Sequence, residues 1–280
     1  MQQNDWKQIL KTVIAAAFVA ITCVIISKPV QAEEIPGVMT VDLVLFAGQS
    51  NMAGTGGNAR LAPAVPNGCG YEFLPAADPS GLHSLVEPFG KMESGYLADP
   101  SSLRKGTLVS SFVNSYYAAT GVPVVAVSAV RGATDSAYWA SPQAKSDLLY
   151  RYTLAKSYLT SNHITLRRSF AVWLQGESDA IEGTTGTQYQ TNVTSAFGPL
   201  FASGLERVYV ITPGHPKGNA AMFDPIINAQ VELCAKDARF TLASTALRSM
   251  SDAYLSDDIH YGQTALNMVG QAAGGVAAVN

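Results

Sequence analysis

The sequence predicts an α/β fold: a three-layer α/β/α sandwich around a mostly parallel, five-stranded sheet, of the doubly wound, flavodoxin-like kind. Two observations predict it. Short apolar runs rich in β-branched residues alternate with longer helical stretches, the pattern of a parallel sheet covered on both faces. Three of those runs also stop at polar, glycine-containing turns: Gly48-Gln49-Ser50-Asn51, Arg131-Gly132 and Gln175-Gly176-Glu177. In a parallel sheet the C-terminal strand ends share one edge, where such proteins bind their ligands.

The chain opens with a different kind of segment. Lys7 and Lys11 flank the start of an apolar run, Thr12 to Ile26, followed by Ser27, Lys28, Pro29 and the small-residue pattern Val30-Gln31-Ala32. A basic start, an apolar middle and a small-residue site read as a secretory signal peptide cut after Ala32. The run is shorter than the ~20 residues of a membrane span, so a permanent anchor is the weaker reading. The expected product is residues 33–280, one large α/β domain, secreted or periplasmic, with no stable membrane association after cleavage.

Along that domain the first strand is Val41–Ala47. Residues 55–105 are rich in Gly, Pro, Ser and Asn and read as a long loop walling a substrate site, with Arg60, Tyr71, Phe73, Phe89 and Tyr96. A helix is expected over 107–119, stopped by Gly121. Strands follow at 122–130, 169–174, 207–212 and 240–244. Helices are expected over 144–160, within 187–203, and over 219–236 and 263–276.

Composition narrows the function. The net charge is −3, and the expected leader holds three Lys and one Asp, so its loss leaves the chain more acidic. With no basic cluster, nucleic acid is not an expected partner. No Cys/His spacing suits a metal, and no cofactor is expected. Cys69 and Cys234 remain after cleavage, either paired in an oxidising compartment or as two buried thiols.

The chemistry-bearing residues sit at the strand ends and on one late loop. Ser50 lies after the first strand, near a helix start, where free N–H groups favour negative charge. Ser256-Asp257-Asp258-Ile259-His260 precedes the last helix, with Asp257 three residues before His260. A turn there can set a carboxylate on one imidazole nitrogen and leave the other for Ser50, as a serine nucleophile requires.

With Gly48–Met52 reading G-Q-S-N-M, Gln175–Glu177 reading Q-G-E and Asp257–His260 reading D-x-x-H, the chain resembles the SGNH hydrolases. Within them it resembles sialate O-acetylesterase and the acetylesterases of carbohydrate esterase family 6. The resemblance implies a serine esterase that removes O-acetyl groups from an acetylated carbohydrate, a sialic acid or xylan-type substrate. It implies Ser50 as nucleophile, His260 as base, and an oxyanion hole of the Ser50 and Gly132 N–H groups and the Gln175 amide. The acid is Asp257, with Glu177 sharing that role or bracing the Ser50 loop. Gln49, Asn51, Arg131, Tyr138, Trp139 and His215 are candidate substrate contacts around the same edge. Two rival readings are an SGNH lipase, lysophospholipase or thioesterase, and a non-catalytic sugar-binding protein on the same fold.

Overall fold

The structure is a computed structural model describing residues 39–280; the expected leader, residues 1–32, lies outside the described residues. Seven strands form one sheet: β1 (Thr40–Gly48), β2 (Gly70–Leu74), β3 (Asp78–Ser84), β4 (Val124–Val130), β5 (Thr165–Leu174), β6 (Arg207–Ile211) and β7 (Phe240–Ser244). Their spatial order is β3-β2-β4-β1-β5-β6-β7. Only the β2–β3 pair is antiparallel.

Successive residues of β1 face opposite layers, as a strand's period of two requires. Val41, Leu43, Leu45 and Ala47 pack on one side with Leu148, Tyr152, Tyr189 and Leu233. Those come from α4 (Pro142–Ser161), α6 (Gly186–Ala202) and α7 (Asp224–Lys236). Val44 and Phe46 pack on the other side with Phe112, Tyr116, Leu266 and Val269, from α2 (Val109–Thr120) and α8 (Gln263–Val279). Asp42 shares the Val44 and Phe46 parity and is fully buried. The Tyr116 hydroxyl (2.6 Å) and Arg167 Nε (3.0 Å) satisfy its carboxylate.

Local chemistry sets the helix ends. Pro142 opens α4 behind the Ser141 cap, and Thr185 and Gln188 form a capping box at α6. Gly121 closes α2 at φ 67°. Helices α2 and α8 cross closely because Gly270 and Gly274 lie against the Leu108 and Phe112 carbonyls.

The structure corrects the strand count of the sequence reading, adds two short helices to it and decides between the two alternatives left for the cysteines. The sheet has seven strands rather than five, because residues 55–105 contain the β2–β3 hairpin. In β2, Phe73 and Leu74 are buried, whereas β3 is a polar edge strand without an apolar alternation to reveal it. Two short helices, α3 (Ser136–Ala140) and α5 (Glu177–Glu182), follow β4 and β5 and are too short to show a period. Cys69 and Cys234 are both free thiols.

Register is what builds the site. Gly48, the last residue of β1, pairs with Val130 of β4 and with Leu174 of β5. The three strands therefore end flush, and Gln49, Arg131 and Gln175 leave the sheet side by side. β1 lies between the half of the sheet reached first and the half reached later, so this edge is the topological switch point.

Candidate active site

Ser50 is placed by two glycines. Gly48 has φ 146°, and a Cβ there would stand 2.0 Å from the Leu174 carbonyl oxygen. Only glycine lets β1 end so close to β5. The chain then turns into the four-residue α1 (Ser50–Ala53), closed by Gly54 in the left-handed region. As the first helical residue, Ser50 has a backbone N–H without an intrahelical acceptor.

The late loop brings its partners. Leu255 and Tyr261 form an antiparallel bridge, and Ser256 N–H donates to the His260 carbonyl at 2.8 Å. Inside that turn Asp257 Oδ1 accepts from the Ile259 N–H (2.9 Å) and the His260 N–H (2.8 Å). Asp257 Oδ2 lies 2.8 Å from His260 Nδ1, and His260 Nε2 lies 2.9 Å from Ser50 Oγ. A carboxylate only accepts, so the proton of the neutral ring sits on Nδ1 and Nε2 is left to accept from the Ser50 hydroxyl.

Asn51 ties the two loops together. Its amide donates to Glu177 Oε1 at 2.7 Å, and its carbonyl oxygen accepts the Tyr261 N–H at 3.0 Å. Glu177 is thus bonded to Asn51 and makes no hydrogen bond to His260. The geometry gives Asp257 contact with the imidazole and Glu177 the bracing position.

The two acids differ electrostatically. Burial raises the pKa of Glu177, with the Asn51 hydrogen bond only partly offsetting it. For Asp257 partial burial acts upward, but the N–H groups of Ile259 and His260 and the imidazole outweigh it and lower its pKa. Asp257 is the acid kept ionised beside the base.

The structure withholds several expected roles. Gln175 is fully buried; its amide donates to Asp179 (2.6 Å) and to the Thr134 carbonyl (3.0 Å), so it is not free for an oxyanion. The Gly132 N–H donates to both Asp99 oxygens, at 2.9 and 3.0 Å. Of the three expected donors, only the Ser50 N–H is unengaged among the described residues. Trp139 is no sugar platform: it is buried, stands edge-on to Trp173 with centroids 4.9 Å apart, and donates from Nε1 to Thr134 Oγ1. Tyr138 stacks on Tyr96 away from the Ser50 cleft. His215 is buried in a structural role, with Nε2 2.6 Å from the Met250 carbonyl oxygen. Phe73 and Phe89 belong to the core, and Arg60, Tyr71 and Tyr96 do not reach the Ser50 cleft.

Ser50 and His260 open into a cleft of about 550 Å³ that also takes in Gln49, Arg131 and Gly132. Thr55, Asp99, Leu103, Ser178 and Ile181 also line it. Sequence reasoning missed these five. Asp99 and Leu103 come from the long 55–105 stretch, where no periodicity distinguishes a cleft residue from a surface one. Ile181 carries the only available signal, as an apolar residue one turn past the Q-G-E motif.

The arrangement offers an activated hydroxyl, a base, an orienting acid and one free N–H beside a cleft, the elements of acyl transfer. Comparison with curated proteins finds no match. Among solved structures, the chain is similar to a protein from Arabidopsis thaliana at 17% identity and a TM-score of 0.60, covering 85% of this chain and 98% of that one. It is similar to NanS at 13% identity and a TM-score of 0.56, covering 86% and 97%. A carbohydrate acetylesterase from Xanthomonas citri matches at 17% identity and a TM-score of 0.50, covering 82% of this chain and 54% of that one. At these identities the likeness speaks for the fold. The sequence profile of the carbohydrate esterases described as sialic acid-specific acetylesterases matches residues 40–276, essentially the whole described chain. The chain belongs to that family of carbohydrate acetylesterases, which are carboxylic ester hydrolases.

Proposed function

We propose that the protein removes O-acetyl groups from a carbohydrate through a covalent acetyl-enzyme on Ser50. The observation that carries this is the unbroken hydrogen-bonded series Asp257–His260–Ser50, at 2.8 and 2.9 Å, opening into a cleft. His260 Nε2 takes the Ser50 proton as Oγ attacks the ester carbonyl, then delivers it to the departing sugar hydroxyl. Water, deprotonated by the same nitrogen, releases acetate. Asp257 keeps the ring in the working tautomer and stabilises the imidazolium. The Ser50 N–H receives the oxyanion. The Gly132 N–H becomes a second donor only where Asp99 releases it.

The test is acetate release from O-acetylated sialic acid and acetylated xylan, side by side, and from p-nitrophenyl acetate. Ser50→Ala and His260→Ala are the controls, each with its unfolding curve. Loss of turnover in both variants, with folding retained, supports the reading. Near-normal turnover in either removes it. Localisation belongs to the same proposal: the chain is exported and cut after Ala32, which N-terminal sequencing of protein from the extracellular or periplasmic fraction checks.

One observation favours a second reading, an esterase for longer acyl chains. Leu103 and Ile181 at the cleft are 42% and 54% exposed, an apolar lip that a fatty acyl group would cover. A p-nitrophenyl ester series from acetyl to octanoyl separates the two by which chain length is preferred.

A further inference from the structure

One donor beside Ser50 is already taken. The Gly132 N–H donates to both oxygens of Asp99, at 2.9 and 3.0 Å. A Cβ on Gly132 would stand 3.2 Å from Asp99 Oδ2 and 3.5 Å from the Ser50 Cβ, so the carboxylate lies close to the reacting hydroxyl. A charged acceptor holds an N–H more strongly than a neutral ester carbonyl does, so substrate binding by itself does not displace it.

A little further along the chain a buried cation has donors to spare. Arg104 is 3% exposed. Its Nη1 donates to Ser128 Oγ at 3.0 Å and to the Phe89 carbonyl at 3.4 Å, which anchors the guanidinium beside β4 shortly before that strand exits to Gly132. Its Nε and Nη2 are buried too and have no hydrogen-bond partner among the described residues. Those two groups form one edge of the guanidinium plane, the fork that receives a carboxylate through two parallel hydrogen bonds. Leaving such donors unmade in the interior is costly.

Three acids act on this guanidinium. Burial pulls its pKa down to about 10, and among the charges that hold it up Asp99 acts most strongly, ahead of Glu72 and Glu93. Glu72 is engaged by the Gly90 N–H at 2.7 Å, and Glu93 lies 3.3 Å from Arg151 Nη1. Of the three, only Asp99 lines the Ser50 cleft. A single 3₁₀ turn, Ser101–Leu103, joins it to Arg104, closed by the Leu103 N–H on the Pro100 carbonyl and the Arg104 N–H on the Ser101 carbonyl.

We infer that Asp99 is a two-position gate on the oxyanion hole: its carboxylate rests on the Gly132 N–H and moves onto the Nε–Nη2 fork of Arg104 as the oxyanion forms. Arg104 is then a positioning residue for ester hydrolysis. This rests on the esterase reading above and extends it. Both positions give the carboxylate hydrogen-bond donors, so neither is strongly preferred at rest. The developing oxyanion decides between them, because two negative oxygens repel each other at one N–H. In the second position the Gly132 N–H joins that of Ser50, and the buried guanidinium gains a paired charge.

The test measures kcat and KM on p-nitrophenyl acetate for the wild type, Arg104→Met, Asp99→Ala and the double variant, each with its unfolding curve. Arg104→Met leaves Asp99 on the Gly132 N–H and is expected to lower kcat about 10²-fold, the cost of one oxyanion donor, with KM little changed. Asp99→Ala opens the hole for good and raises kcat about threefold or more, the share of molecules now held closed. The double variant returns to the Asp99→Ala value, a rescue that a merely structural Arg104 would not show. Where Arg104→Met does not fold, a crystal structure of the wild type with methylboronic acid decides, since its adduct on Ser50 carries a negative charge where the oxyanion forms. Asp99 is expected on Arg104 in that adduct, with the Gly132 N–H on a boronate oxygen. Asp99 anywhere else in the adduct, a folded Asp99→Ala slower than wild type, or no rescue in the double variant overturns the gate. A wild type that neither hydrolyses p-nitrophenyl acetate nor takes up the boronate overturns the esterase reading instead.

Discussion

Replacing Asp257 by Asn tests which acid serves His260. The carboxylate makes three contacts: two with backbone N–H groups through Oδ1 and one with His260 Nδ1 through Oδ2. Asn retains the backbone contacts through its oxygen and so keeps the turn. Its NH2 group then faces Nδ1, and two donors cannot share that position. The imidazole answers by moving its proton to Nε2, where it points at Ser50 Oγ and can no longer accept. In enzymes with a buried triad aspartate this change costs about 10⁴-fold in kcat. Asp257 is 53% exposed at its side chain, so water screens part of its effect on the imidazolium. The expected loss is therefore smaller, about 10²–10³-fold, or about 3–4 kcal/mol of transition-state stabilisation. Glu177→Gln, two contacts away, keeps an acceptor for Asn51 and is expected to cost about tenfold or less. The assay is kcat on p-nitrophenyl acetate from pH 5 to 9 for both variants, with unfolding curves. A larger loss from Glu177→Gln than from Asp257→Asn refutes the reasoning, because the acid that orients the base would then be the one bonded to Asn51.

Three further predictions follow from the packing. Asn51→Ala strips Glu177 of its donor and leaves the Tyr261 N–H buried and unpaired; about 3–5 kcal/mol of stability is lost, read as a fall in the urea midpoint. Turnover should fall with it, since the His260 loop loses its tie to Ser50. Glu72 is buried, chiefly for that reason its pKa is pushed up to about 7, and it accepts the Gly90 N–H at 2.7 Å. Between pH 4.5 and 7 the folded chain keeps a proton that the unfolded chain has lost, so stability falls as pH rises through that window, by about 3 kcal/mol from this group. Glu72→Gln should flatten that slope in thermal unfolding scans, and an unaltered slope would rule the group out. Gly274→Ala puts a Cβ 2.4 Å from the Phe112 carbonyl oxygen and forces α2 and α8 apart, for a loss of about 1–3 kcal/mol that equilibrium unfolding will detect.

Much of the architecture is legible in the chain because it depends on local patterns. The buried strand Val41–Ala47, the Gly121 stop and the long helices over 142–161 and 263–279 follow from β-branched runs, capping residues and periodicity. The order Ser50, Asp257, His260 and the motifs at Gly48–Met52, Gln175–Glu177 and Asp257–His260 carry the resemblance to the family. What the chain alone does not display are contacts made across the sheet edge. Gln175 belongs to a motif, yet Asp179 and Thr134 claim its amide; Trp139 follows a motif glycine, yet the core claims its ring. Asp99 lies in a stretch without periodicity, and only the pairing of Leu97, Ala98 and Asp99 with the end of β4 carries its carboxylate to Gly132. Sequence by itself determined the layers of the fold and a set of candidate residues at one sheet edge, since propensity and patterning act over a few residues. Tertiary structure decided which donors stay free, because a hydrogen bond goes to whichever partner the register of three flush strands brings within about 3 Å.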